Sequence, residues 1–208
     1  MAAQHDDDKE NDVSERNLSA RVFKNRGALL SIPAVLLGAF GKPSAFSVAV
    51  GLPLALGGEL IRCWAVGYSG ITTRADKVTA PALVTAGPYA HVRNPLYLGN
   101  FITALGFAVA FTGCNTLFAR LALRSGALGS MSAVYATIIP HEERYLRATF
   151  GAVFEDYCNR VPSIVPRTRA SRPAHGVYAP SVIWKAESKT FATFGAMLIV
   201  LAVKALRS

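Results

Sequence analysis

Residues 44–61 read Ser-Ala-Phe-Ser-Val-Ala-Val-Gly-Leu-Pro-Leu-Ala-Leu-Gly-Gly-Glu-Leu-Ile, with Glu59 as the one charge. A helix needs roughly 20 mainly apolar residues, with a lower limit near 17, to cross the hydrocarbon core of a bilayer. This stretch meets that limit. Four further apolar stretches surround it: residues 27–41, closing at Lys42-Pro43, and about 96–118, 126–139 and 190–203. The 96–118 stretch also passes the length test, whereas the other three fall short of it unless their flanks are included.

The whole chain has 208 residues, 51% hydrophobic and 17% charged, with a mean hydropathy of +0.30. A soluble domain carries about a quarter charged residues, and five such helices in a soluble bundle would leave little polar surface. The expected fold is therefore all-α: a multi-pass transmembrane helical bundle with about five membrane helices. Disorder is excluded for most of the chain by the apolar content. Cys63, Cys114 and Cys158 are widely spaced and fit neither a disulfide framework nor a zinc pattern, so no metal is expected.

Charge placement assigns the sides. Residues 1–26 hold six acids and five bases with little to bury, which reads as a disordered polar tail. The stretch is too long and acidic before the apolar run to be a secretory signal. If the tail is cytoplasmic and each stretch crosses once, the tail, residues 62–97 and residues 140–189 together carry 17 bases. Lys42, Arg120, Arg124, Lys204 and Arg207 are left on the opposite side. That asymmetry is what the positive-inside rule describes. The net charge of +9 is thus mainly a topology signal. Nucleic acid, which needs a concentrated basic face, is excluded as a partner, and membrane lipids are expected.

Two segments then share one membrane face. The first runs Leu83-Val84-Thr85-Ala86-Gly87-Pro88-Tyr89-Ala90-His91-Val92-Arg93-Asn94-Pro95-Leu96-Tyr97-Leu98-Gly99. Gly87-Pro88 is a turn signal, and Asn94 before Pro95 is a favoured helix start. The unbonded N–H groups there suit an anionic group. A plain helix start with Arg93 as an interfacial anchor accounts for the same residues. In the second segment the 126–139 helix is expected to end at Pro140. His141-Glu142-Glu143-Arg144 then opens an amphipathic helix, carrying Tyr145, Leu146, Phe150, Val153, Phe154 and Tyr157 near one face, that lies on the membrane surface. Arg160-Val161-Pro162 leaves it as an extended strip.

The combination resembles the isoprenylcysteine carboxyl methyltransferase family of integral membrane enzymes. The marks are Gly87-Pro88-Tyr89, Arg93-Asn94-Pro95-Leu96-Tyr97-Leu98-Gly99, Glu142-Glu143, Phe150-Gly151, Tyr157 and Val161-Pro162, spread over roughly residues 45–166. The resemblance implies S-adenosylmethionine bound in a cytoplasmic pocket by Leu83, Val84, Tyr89, Asn94, Pro95, Leu96, Tyr97 and Glu142. It divides the chain into a tail (1–26), a membrane methyltransferase core (27–166) and a basic linker with a C-terminal membrane helix (167–208). The chemistry is compatible with that set. A cofactor carboxylate suits the helix start or Arg93, an ammonium and ribose suit Glu142, and a sulfonium suits the faces of Tyr89 or Tyr97. Tyr89 and Tyr97 are also explained as belt aromatics at headgroup level.

Methyl transfer is a displacement on an activated carbon, so the protein must chiefly align reactants and exclude water. An acceptor carboxylate on a lipophilic small molecule or lipidated substrate needs no base, and Arg93 or Arg160 would orient it. A lipid amine would need a proton acceptor, either a carboxylate or His141. Three departures bear on the acceptor. Asn94 stands where eukaryotic members usually have His, Ile138 stands where that group places a substrate-contacting Arg, and the chain continues past the Val-Pro strip. Phospholipid N-methylation, a nicotinamide-dependent membrane reductase and a non-catalytic membrane protein are the competing readings.

Overall fold

The computed structural model describes residues 2–70, 80 and 82–207, with side chains from residue 21 onward. Among the described residues all regular structure is helical. The elements are α1 (Ala2–Phe40), α2 (Ala45–Ser69), a 3₁₀ turn (Gly87–Ala90), α3 (Pro95–Phe111), α4 (Leu117–Phe150), α5 (Ala152–Arg160) and α6 (Ser181–Ala205).

The tightest seam lies between α2 and α3, and glycine makes it possible. A Cβ on Gly51 would stand 2.4 Å from the Gly106 carbonyl oxygen, and one on Gly106 would stand 2.3 Å from the Ala55 nitrogen. Small residues let two backbones approach where lipid provides no hydrophobic drive. Polar bonds close the seam: Ser47 Oγ donates to the Ala110 carbonyl at 2.8 Å, and Thr103 Oγ1 to that of Ala55 at 3.2 Å. Leu37 of α1, Ala55 of α2, Phe107 and Phe111 of α3, Ala127 of α4 and Leu201 of α6 form the shared core.

Ser44 starts α2, accepting from the Ser47 N–H in a reciprocal cap, a standard way to satisfy orphan donors. At that end of the bundle, Asn115 accepts from the Lys42 N–H and donates to the Phe40 carbonyl. Arg120 donates to the Thr112, Gly113 and Asn115 carbonyls, and Lys204 Nζ to those of Ala39 and Gly41. Three of the five bases expected on the far side thus engage the α1–α2 and α3–α4 turns through their side chains: Arg120 and Lys204, with Arg124 on Thr112 Oγ1 at 2.9 Å.

Two helices, Ala45–Ser69 and Ser181–Ala205, are long and apolar enough to cross a membrane by length and composition. Large apolar side chains, including Ile32, Val35, Phe46, Leu60, Phe118 and Ile199, stand exposed on these helices, in a number that a water-facing surface does not carry. This is a membrane protein.

Several expectations change. The 96–118 stretch is not one helix: α3 stops at Phe111 after 17 residues, because Thr112 Oγ1 bonds back to Ala108 and Asn115 turns to bridge Phe40 and Lys42. The helix expected to stop at Pro140 continues to Phe150. Proline removes one N–H and crowds the preceding turn, at about 3 kcal/mol. Ile138 and Ile139, both buried, and the His141 ring 6.0 Å from Phe23 hold the helix on either side. The break comes instead at Gly151, with φ +52°, a conformation that suits glycine. Beyond it the short α5 turns its apolar side inward, where Phe154 and Tyr157 pack with Val161, Leu83 and Leu146, so this face does not lie on the membrane surface. Finally, α1 begins at Ala2, and Phe23, expected in a loose tail, is 5% exposed. The end of the polar stretch is therefore part of the fold.

Candidate functional site

The loop before α3 is built from backbone bonds to the strip that follows α5. The Arg93 N–H donates to the Pro162 carbonyl at 2.8 Å and the Asn94 N–H to that of Ser163 at 3.1 Å. The Thr85 and Ala86 N–H groups donate to the His175 carbonyl, and Tyr157 Oη donates to that of Tyr89 at 2.8 Å. Residues 167–180, expected as a linker, thus lie along this loop, with the Arg167 N–H on the His91 carbonyl and the Ala179 N–H on that of Gly67.

These contacts enclose a cavity of about 610 Å³, within the usual range for a small-molecule site. Leu83, Val84, Tyr89, Asn94, Pro95, Leu96, Tyr97 and Glu142 all line it, together with Arg93. They come from the loop, the start of α3 and the end of α4. Tyr97 Oη donates to Glu142 Oε1 at 2.8 Å. Burial pushes the Glu142 carboxyl up to about 7, against the pull of the Tyr97 bond and Arg26, because desolvation penalises the charged form. The Tyr89 hydroxyl is pushed up to about 12 by burial, and that of Tyr157 also rises for the same reason. Both stay protonated at neutral pH, and Tyr157 uses its hydroxyl as the donor to the Tyr89 carbonyl. Burial also raises the Cys158 thiol, which keeps it from thiolate chemistry.

Glu143, beside Glu142, is tied differently. Arg93 grips it through Nε to Oε1 at 3.0 Å and Nη2 to Oε2 at 3.1 Å, and reaches the Val161 carbonyl at 2.6 Å and that of Cys158 at 3.3 Å through Nη1. This two-pronged grip joins the loop, α4 and the strip, and most of the guanidinium donors are spent on it. Asn94 has no capping bond to its helix; its amide donates instead to Glu143 and to Ser163. Arg160 does not line the cavity. It pairs with Asp156 and with the Ser171 and Arg172 oxygens. The acceptor-orienting role expected of Arg93 and Arg160 therefore meets a committed side chain in one case and an outward-lying one in the other.

The sequence reading missed Arg62, Asn100, Tyr135 and Glu187. Arg62 lines the same cavity from α2, donates to Asn100 Oδ1, and bonds Glu187 Oε2 of α6 at 2.7 Å. Glu59 stands 3.7 Å from it. A signal was present: Glu59 and Arg62 lie one turn apart at the end of an apolar helix, and ionisable residues in such segments face the interior.

A helical membrane bundle with a polar, aromatic-lined cavity at one end is the class this architecture defines. Residues 46–153 match the family model described as "Phospholipid methyltransferase", and the chain belongs to that family. It is 34% identical over 124 residues to protein-S-isoprenylcysteine O-methyltransferase B of Arabidopsis thaliana, covering 56% of this chain and 57% of that protein. It is 34% identical over 102 residues to methanethiol S-methyltransferase 2 of Bradyrhizobium diazoefficiens, covering 49% and 36%. It is 39% identical over 85 residues to the nickel-cobalt-cadmium resistance protein NccN of Alcaligenes xylosoxydans xylosoxydans, covering 41% and 36%. The chain thus spans between about a third and three-fifths of these relatives' lengths. No solved structure matches it.

Proposed function

We propose that this chain is an integral membrane methyltransferase. It binds S-adenosylmethionine in the 610 Å³ cavity and methylates a lipophilic acceptor, with an isoprenylcysteine-type carboxylate favoured. The observation that carries the reading is convergence. Eight residues from two segments some 45 positions apart line one cavity, with a half-buried carboxylate and two tyrosines among them. When bound, the cofactor supplies a methyl group on a sulfonium. The donor set fits it: Glu142 suits the ammonium or ribose, Tyr89 and Tyr97 offer faces to the sulfonium, and the Asn94-Pro95 helix start suits the carboxylate.

Arg93 is a positioning residue in this reading. Through Glu143 and the Val161 carbonyl it holds the loop, α4 and the strip in register. Phe154 and Tyr157 line the cavity from α5 and pack against Leu83 of the loop. A carboxylate acceptor is ionised at neutral pH and requires alignment rather than a base. The naming of the Arabidopsis relative as an isoprenylcysteine O-methyltransferase supports that acceptor class. A headgroup amine is the second reading, favoured by the description of the family. The base-rich end that carries the cavity supports a cytoplasmic site by the positive-inside rule.

Calorimetry on the detergent-purified chain tests the proposal. Micromolar S-adenosylmethionine binding is expected, and no NADPH binding. Binding of NADPH alone, or of neither to a monodisperse sample, overturns it.

A further inference from the structure

The helix α6 lies wholly outside the segment that the family model matches, yet it is built into the core. Glu187, 1% exposed, holds Arg62 of α2, and the Phe194 ring lies 5.0 Å from that of Phe107 of α3. A second cavity, of about 180 Å³, opens beside this contact. Thr190, Thr193, Phe194 and Met197 of α6 form one wall, and α1, α3 and α4 supply Leu37, Phe107 and Met131 among the others. Its lining is apolar except for Glu59, Asn100, Tyr135 and three threonines. Leu30, Asn100, Tyr135 and Thr190 line both this cavity and the larger one. The two spaces therefore adjoin at a polar neck.

We propose that this second cavity receives the apolar body of the methyl acceptor, and that Phe194 and Met197 of α6 set how much of it fits. The inference rests on the methyltransferase reading of the larger cavity and adds to it where the acceptor lies and what selects it. Group transfer between two bound molecules requires the acceptor to abut the cofactor space. Away from the neck the adjoining space is mainly apolar, with Pro33, Leu37, Phe107, Met131, Phe194 and Met197 outnumbering Glu59, Thr103 and Thr193, whereas Asn100 and Tyr135 at the neck suit a compact polar head. A cavity of roughly 150 Å³ takes a benzene ring, so this one, which is open on one side, takes about the first six carbons of the apolar body next to the polar head. Glu187 pins α6 to α2, which makes the wall a fixed gauge.

The test uses the full chain in detergent and N-acetyl-S-alkylcysteines of two to twelve carbons, competing with an S-hexyl analogue that carries a diazirine at the chain end. Mass spectrometry maps the photolabel. In the unaltered chain, label is expected on Phe194, Met197 or Leu37, and competition should strengthen about fourfold per methylene and level off near six carbons. In Met197→Trp the plateau is expected about two carbons earlier, with S-adenosylmethionine affinity unchanged. Thr193→Leu, at the exposed edge of the cavity, serves if Met197→Trp does not fold. Label outside this cavity, or a plateau unmoved in a folded variant, overturns the assignment. Failure of S-adenosylmethionine to bind, with the label still on α6, overturns the cofactor reading and leaves an apolar ligand site.

Discussion

The carboxyl of Glu142 connects cofactor binding to pH in a way that can be worked out beforehand. Its side chain faces the cavity at the end of α4, three residues past the 126–139 apolar stretch, and burial raises it to about 7. If the ionised form holds the cofactor's ammonium or ribose, binding must draw from the deprotonated population. The apparent Kd then rises about tenfold for each unit below pH 7 and levels off above pH 8. Stability of the empty protein runs the other way. An acid whose folded value is raised binds more protons when folded, so stability is greatest below the ordinary carboxylate range and declines as pH climbs toward 7. The decline is at most about 4 kcal/mol, and less because Glu142 keeps partial exposure. Glu142→Gln removes the titration, so its Kd should be flat from pH 5.5 to 8.5. At pH 8 it should be about 10- to 100-fold weaker than the unaltered chain, the size of one lost charge-assisted bond. Glu155→Gln alters a half-exposed pair with Arg147 and should change neither curve. Calorimetry across that pH range reads both effects. A pH-independent Kd in the unaltered chain, or a pH slope that persists in Glu142→Gln, would refute the argument.

Three further outcomes follow from the same geometry. Arg93→Lys keeps the charge but cannot span Glu143 and the Val161 and Cys158 carbonyls together; a loss of about 2–4 kcal/mol is expected, seen as a lower Tm, and a Tm within a degree of the parent would count against it. Arg160→Gln removes an ion pair to a 63% exposed Asp156 and the bonds to the Ser171 and Arg172 oxygens, all outside the cavity, and should leave S-adenosylmethionine affinity nearly unchanged with a small fall in Tm; a large loss of affinity would return Arg160 to the site. Gly106→Val inserts atoms where a Cβ already meets the Ala55 nitrogen at 2.3 Å, so α2 and α3 must part and about 2 kcal/mol or more should be lost, with Gly57→Ala, which meets nothing within 4 Å, as the harmless control in the same thermal assay.

Much of the site was legible because its residues cluster in two short segments with strong local signals. Gly87-Pro88 makes a turn, and it does form the 3₁₀ turn Gly87–Ala90. Asn94-Pro95 starts a helix, and α3 does begin at Pro95. Glu142 is a carboxylate just past an apolar run. Helix ends were less legible. Pro140 reads as a stop, yet tertiary packing on both sides carries α4 through it, whereas Gly151, unremarked as a break, makes the turn. Arg62 falls outside the apolar stretch by hydropathy, which ends α2 near Ile61, while Glu187 and Asn100 supply the partners that keep its charge inside the bundle.

Composition and periodicity by themselves determined that this chain is helical and apolar enough for a membrane, since those properties depend on side-chain transfer energies and local backbone preference. Motif order likewise pointed to the residues around one cavity. Which guanidinium is committed to Glu143, which lies outward, and which reaches the cavity from α2 were decided only by tertiary structure. So was the place of α6 as a wall of the second cavity. Those outcomes depend on distances between side chains 50 to 125 positions apart in the chain, and no local preference encodes them.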